Sequence, residues 1–210
     1  MKVNKACTTI LFLLALGLLQ ACTYPVRPSD RPFIDELIRS SNSLIETEEF
    51  RELLSSVPAV AFDHSSDGTD LRDDDGSKVL AKLQLAHTHD VICRRAKWPL
   101  NFSTNAWEGG GTPQLRCSRL HARSTAQWIG TLIHERAHAS GYQHSGNARL
   151  GNECTVPHFV GDLATFLASA KKGNAPLPKD VCPALRSALE QSVKTTANLS
   201  AARLSLVSQH

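Results

Sequence analysis

His134-Glu135-Arg136-Ala137-His138-Ala139-Ser140-Gly141-Tyr142-Gln143-His144 sets three imidazoles, one carboxylate and one turn glycine in the order H-E-x-x-H-x-x-G-x-x-H. Each of these residue types stands at a spacing that zinc-dependent hydrolysis requires. Four residues of a helix advance about 400°, so His134 and His138 project from one face, one turn apart. Two nitrogens presented that way fill two corners of a zinc tetrahedron. Gly141 can end the helix with a positive φ at little steric cost. The chain then turns back and brings His144 round as a third ligand, which leaves the fourth position to water. Glu135 lies about 100° round the helix from His134, where a carboxylate can reach that water without ligating the metal. Zinc lowers the pKa of the water towards about 7, and the carboxylate takes its proton during attack on a carbonyl.

The run from His134 to His144 resembles the extended zinc signature of the metzincin clan of metallopeptidases, a likeness that covers about thirty residues with the strand and helix that lead into it. The resemblance implies His134, His138 and His144 as zinc ligands, Glu135 as general base, Zn2+ as cofactor and a peptide or protein substrate. It also implies a zincin-like fold. Metzincins carry a methionine turn beneath the metal, whereas the one methionine here is Met1. Either another residue floors the site, or the chain is a divergent zincin that reached the same ligand set separately. Downstream, residues 151–163 are similar to the segment that follows the zinc motif in small bacterial zincin-like lipoproteins. Glu153 is a rival third ligand of the gluzincin kind, or a carboxylate that orients a ligand histidine, or a capping or surface acid. Tyr142 and His158 are the nearest candidates for stabilising a developing oxyanion. Their bland alternatives are a packing residue in the turn and a surface residue in the first turn of the next helix. Two other functions compete: a non-catalytic envelope lipoprotein that only holds zinc, and a zinc amidase acting on cell-wall peptides.

Rigid elements have to carry these groups. Ser124 or Thr125 can cap a helix whose apolar residues Trp128, Ile129, Leu132 and Ile133 bury one side of it. Gln114 to Leu120 has the length and partial alternation of a strand, fed by the turn Gly109-Gly110-Gly111-Thr112-Pro113. Such a strand is either an ordinary sheet member or an edge to which an extended peptide could add. Asp30 and Pro32 open a helix with the stripe Phe33, Ile34, Leu37, Ile38, Leu44 and Ile45. A short helix follows from Thr47, then one over Val79 to Ala86, one over Pro157 to Lys171 and one from Asp180 to about Val193. Asp63 to Gly76 reads as a solvated, aspartate-dense loop without the alternating oxygen ligands of a calcium loop. His87 and His89, spaced i, i+2, do not share a helix face and read as surface residues. The expected class is α+β: a mainly helical zincin-like domain with a small sheet and a central zinc helix.

Residues 1–21 read as a secretory signal, with Lys2 and Lys5 ahead of an apolar run, Ile10 to Leu19, too short to span a membrane comfortably. Leu19-Gln20-Ala21-Cys22 resembles a lipobox, which implies acylation of Cys22 and a lipid anchor in the bacterial cell envelope. Thr23 after Cys22 implies the outer membrane. The division is 1–21 signal, 22–29 lipidated linker, 30–193 catalytic domain and 194–210 a tail or loosely docked helix. Removal of 21 of 210 residues leaves 189, enough for one domain with a sizeable core. Lys+Arg then falls from 23 to 21 against 20 acids, a balance that gives nucleic acid no reason to bind. Beyond Cys7 and Cys22, the even set Cys93, Cys117, Cys154 and Cys182 suits two disulfides in an oxidising compartment. Three pairings are open, with the local one, Cys93–Cys117 and Cys154–Cys182, preferred.

Overall fold

The computed structural model describes residues 23–94, 106–107, 112–145, 150–170 and 180–192. The signal segment, Cys22 and the tail from 193 onward lie outside them. In chain order the elements are β1 (Thr23–Tyr24), α1 (Arg31–Ile45), α2 (Glu48–Ser55), α3 (Gly76–Leu85), β2 (Ile92–Arg94), β3 (Ala106–Trp107), β4 (Gln114–Leu115), α4 (Thr125–Ala139), α5 (Val156–Ala170) and α6 over 183–192. The class is α+β, with a mainly helical body beside a small sheet. Among the described residues, no helix is long and apolar enough to cross a membrane.

The helices begin where the side chains dictate. Thr47 caps α2 by accepting the N–H of Phe50, and Asp75 caps α3 by accepting that of Lys78. Asp30 stands at the N-cap of α1 without a side-chain cap bond, and Pro32 supplies the preset φ of the first turn. Ser124 closes a full capping box with Gln127 at the head of α4. Behind α4 the buried Arg136 donates through Nε to the Leu83 carbonyl and through Nη1 to Asn42 Oδ1 (2.8 Å). Burial pushes this guanidinium down to about 10. That face of α4 is thereby tied to both α1 and α3.

The sheet runs β1-β2-β4-β3, with β2 and β4 parallel and the two outer pairings antiparallel. Two sequence expectations change here. The strand expected over Gln114 to Leu120 stops at Leu115, and Cys117–Ala122 coils into a 3-10 helix. The chain must turn there to reach α4: Cys117 is bonded to Cys93 on β2, and the Trp128 indole N–H donates to the Leu120 carbonyl at 2.8 Å. β4 is moreover paired on both sides, so it offers no edge to a peptide. The second change is in the aspartate-dense loop, which is not simply solvated. Its His64, Asp67 and Asp74 are buried, at 9%, 6% and 4% exposure.

α4 and α5 pack face to face across Gly130 and Gly161. A Cβ on Gly130 would lie 1.9 Å from Thr165 Oγ1 and 2.4 Å from the Gly161 carbonyl oxygen. Only a hydrogen fits at that crossing. His134 follows Gly130 by one turn and His158 precedes Gly161 by about one turn, so the crossing brings those two rings together. The disulfide Cys154–Cys182 ties the entry of α5 to the segment ahead of α6.

Candidate metal centre

The last turn of α4 carries His134 and His138 on one face. The helix ends as the glycine requires: Gly141 has φ +100°, and the N–H groups of Gly141 and Tyr142 bond back to the carbonyls of His138 and Ala137. The reversed chain then lays His144 against the two helical histidines. Three Nε2 atoms meet: His138 to His144 is 3.1 Å, His138 to His134 is 3.2 Å, and His144 to His134 is 3.3 Å.

The outer nitrogens decide what those inner atoms are. His138 Nδ1 donates to the Tyr142 carbonyl at 2.8 Å. His134 is hydrogen-bonded to the backbone of Pro157, a residue with only a carbonyl to offer, so His134 is the donor there. With their outer N–H groups committed, both rings present lone pairs inward in the neutral form. Burial, and the imidazoles of His158, His138 and His144, hold His134 well below the usual histidine range. The ring therefore stays neutral, the state a metal ligand needs.

A fourth imidazole closes on the group. His158, on the first turn of α5, has its ring centroid 4.6 Å from that of His134 and 4.8 Å from that of His144. These spacings are as short as those among the other rings, 4.7 to 5.3 Å. Ligand atoms of His134, His144 and His158 lie within 4.8 Å of one another. These histidines could hold a metal ion.

The remaining sequence candidates separate. Glu135 is 5% exposed on the same helix turn as His134. Glu153 accepts the N–H of Gly151 at 2.9 Å in its own turn, and it is not one of the three side chains that form the metal-capable group among the described residues. Tyr142, read as an oxyanion donor or a packing residue in the turn, packs: it is fully buried, and its hydroxyl donates to Asp74 Oδ2 at 2.8 Å. Burial and the Asp74 carboxylate push that phenol above its usual range. It faces the interior, because a large ring directly after the helix-ending glycine fills the space between α4 and the aspartate loop. His158, expected as an oxyanion donor or a surface residue, is a member of the imidazole group instead. The Gly130/Gly161 pair could have signalled this, since small residues let two helices approach closely. Both disulfides take the local pairing. No family model, no curated protein and no solved structure matches this chain.

Proposed function

We propose that the chain is a zinc-dependent hydrolase of amide bonds, a metallopeptidase acting on peptides or proteins in the bacterial cell envelope. One observation carries the reading: three Nε2 atoms, each 3.1 to 3.3 Å from the next, two of them on a helix whose residue after His134 is the buried Glu135. Ligands about 2.0–2.1 Å from a tetrahedral zinc ion stand about 3.3–3.4 Å apart, so the residues present fit that ion. Bound there, zinc supplies Lewis acidity that polarises a carbonyl and acidifies water. His134, His138 and His144 would hold it. Glu135 would accept a proton from the attacking water on its carboxylate and hand it to the departing amine nitrogen. The buried setting of Glu135 keeps bulk water from competing for that proton.

The proximity of His158 favours a second reading, a metal holder whose four imidazoles close the coordination shell. Metal analysis and peptide hydrolysis, run on the wild type, Glu135→Gln, His144→Ala and His158→Ala, separate the two. A hydrolase keeps its zinc in Glu135→Gln and loses activity at least about 100-fold, in line with removal of a general base. A holder shows no peptide or amide hydrolysis when loaded, and loses affinity in His158→Ala as strongly as in His144→Ala. Unchanged zinc affinity in His144→Ala would sink both.

A further inference from the structure

The loop that brings His144 to the centre is gripped from below by two buried carboxylates. Asp67 Oδ1 accepts the backbone N–H of Gln143 at 2.5 Å, and its Oδ2 pairs with His64 Nδ1 at 2.7 Å. His64 Nε2 in turn lies 3.1 Å from the Asp74 carbonyl, which fixes the two aspartates relative to one another. Asp74 Oδ2 accepts the Tyr142 hydroxyl at 2.8 Å and the Lys82 ammonium at 2.5 Å. Lys82 also stands 5.5 Å over the Tyr142 ring. The bonds from Asp67 and Asp74 to Gln143 and Tyr142 land between the last helical ligand and His144.

The two gripped residues touch the imidazoles directly. Tyr142 supplies the carbonyl that accepts from His138 Nδ1 and so sets that ring's tautomer and tilt. Gln143 is bonded covalently to His144. Charge-assisted bonds of this length, in a buried setting, resist displacement far more than a solvated turn does. A ligand set must be held to within about 0.5 Å to keep its geometry.

We infer that Asp67 and Asp74, with His64 and Tyr142, are positioning residues for the metal centre: a carboxylate clamp that sets where His138 and His144 present their nitrogens. The clamp rests on the metal-centre reading above. It makes a prediction that mere fold support does not, because its loss must weaken metal binding and not only stability.

The test is zinc affinity by chelator competition, the visible spectrum of the cobalt(II) form, and melting of metal-free and zinc-loaded protein. Wild type, Asp67→Ala, Asp67→Asn and Tyr142→Phe are compared. Asp67→Ala should weaken zinc by roughly 10–100-fold, the usual cost of losing a group that orients a ligand. Asp67→Asn, which keeps an oxygen for the Gln143 N–H, should recover most of that loss. Tyr142→Phe removes one hydroxyl and keeps the ring, so it serves even where Asp67→Ala does not fold; it too should weaken zinc and shift the cobalt bands. Affinities within about twofold of wild type in Tyr142→Phe and in each folded Asp67 variant, with metal-free and loaded melting lowered equally, overturn the clamp and leave the metal centre standing. A wild type that takes up no zinc or cobalt overturns the centre and the clamp together.

Discussion

Tyr142 shows how much of the His144 loop can hang on one residue, since its carbonyl accepts from His138 while its hydroxyl donates to Asp74. The hydroxyl's partner has a pH signature. Burial alone would raise the Asp74 carboxyl, but hydrogen bonds from Lys82 and Tyr142 and the charges of Lys82 and Lys78 outweigh it and leave the group below its ordinary 3.8. A carboxylate lowered in the fold stabilises it above the unfolded pKa, and that contribution disappears as pH falls through the folded value. Metal-free wild type should therefore lose stability below about pH 4 more steeply than Asp74→Asn, whose amide does not titrate there. Urea midpoints between pH 2 and pH 6, two limits bracketing the model-peptide value of about 3.9, check this; parallel curves would refute it. The Glu135→Gln comparison belongs to the same scale, because it removes one charge and leaves the histidines alone.

The crossing of α4 and α5 is set by two hydrogens. Gly130→Ala should wedge the helices apart, since its methyl meets Thr165 Oγ1 and the Gly161 carbonyl oxygen, the latter fixed in a helix. We expect a loss of about 1–3 kcal/mol, the usual cost of overpacking, and a wider His134–His158 separation. Thermal melting gives the first, and the cobalt(II) spectrum reports the second; an unshifted melting temperature would mean the crossing is slack. The elements also show where a sequence is readable. The starts of α2 and α4 were legible because caps are local: Thr47 and Ser124 each bond within three residues; α3 starts at Gly76, ahead of the expected Val79, because its cap Asp75 was read as part of the loop. The meeting of His134, His138 and His144 was legible because helical pitch and one glycine fix it. His158 was not, because its place depends on a close approach between two helices. Gln114 to Leu120 misled because alternation continues into a segment whose path is dictated by Cys93 and Trp128. Asp67 and Asp74 read as solvated because acids usually are, and their partners on the metal loop, Gln143 and Tyr142, lie 76 and 68 residues away.

Among the described residues, two disulfides, the Arg136 bonds to α1 and α3 and the Asp67/Asp74 cluster help hold the histidine-bearing pair of helices to the rest. Cys93–Cys117 and Cys154–Cys182 close loops with sequence separations of 24 and 28. Each should contribute about 2–4 kcal/mol to stability. Replacing both cysteines of one bridge by alanine tests that, and the two bridges should differ in a second readout. The pair at 154 and 182 anchors the entry of α5, so its loss should also change zinc affinity, whereas loss of the pair at 93 and 117 should leave it nearer to wild type. Equal affinities in the two double variants would contradict this. The imidazoles all fall between positions 134 and 158, yet the aspartates beneath them come from far upstream. Contacts between chain neighbours close sooner than those between distant segments. An ion bound by these histidines would therefore meet its ligands before the aspartates arrive, and would act as a template for the rest of the fold.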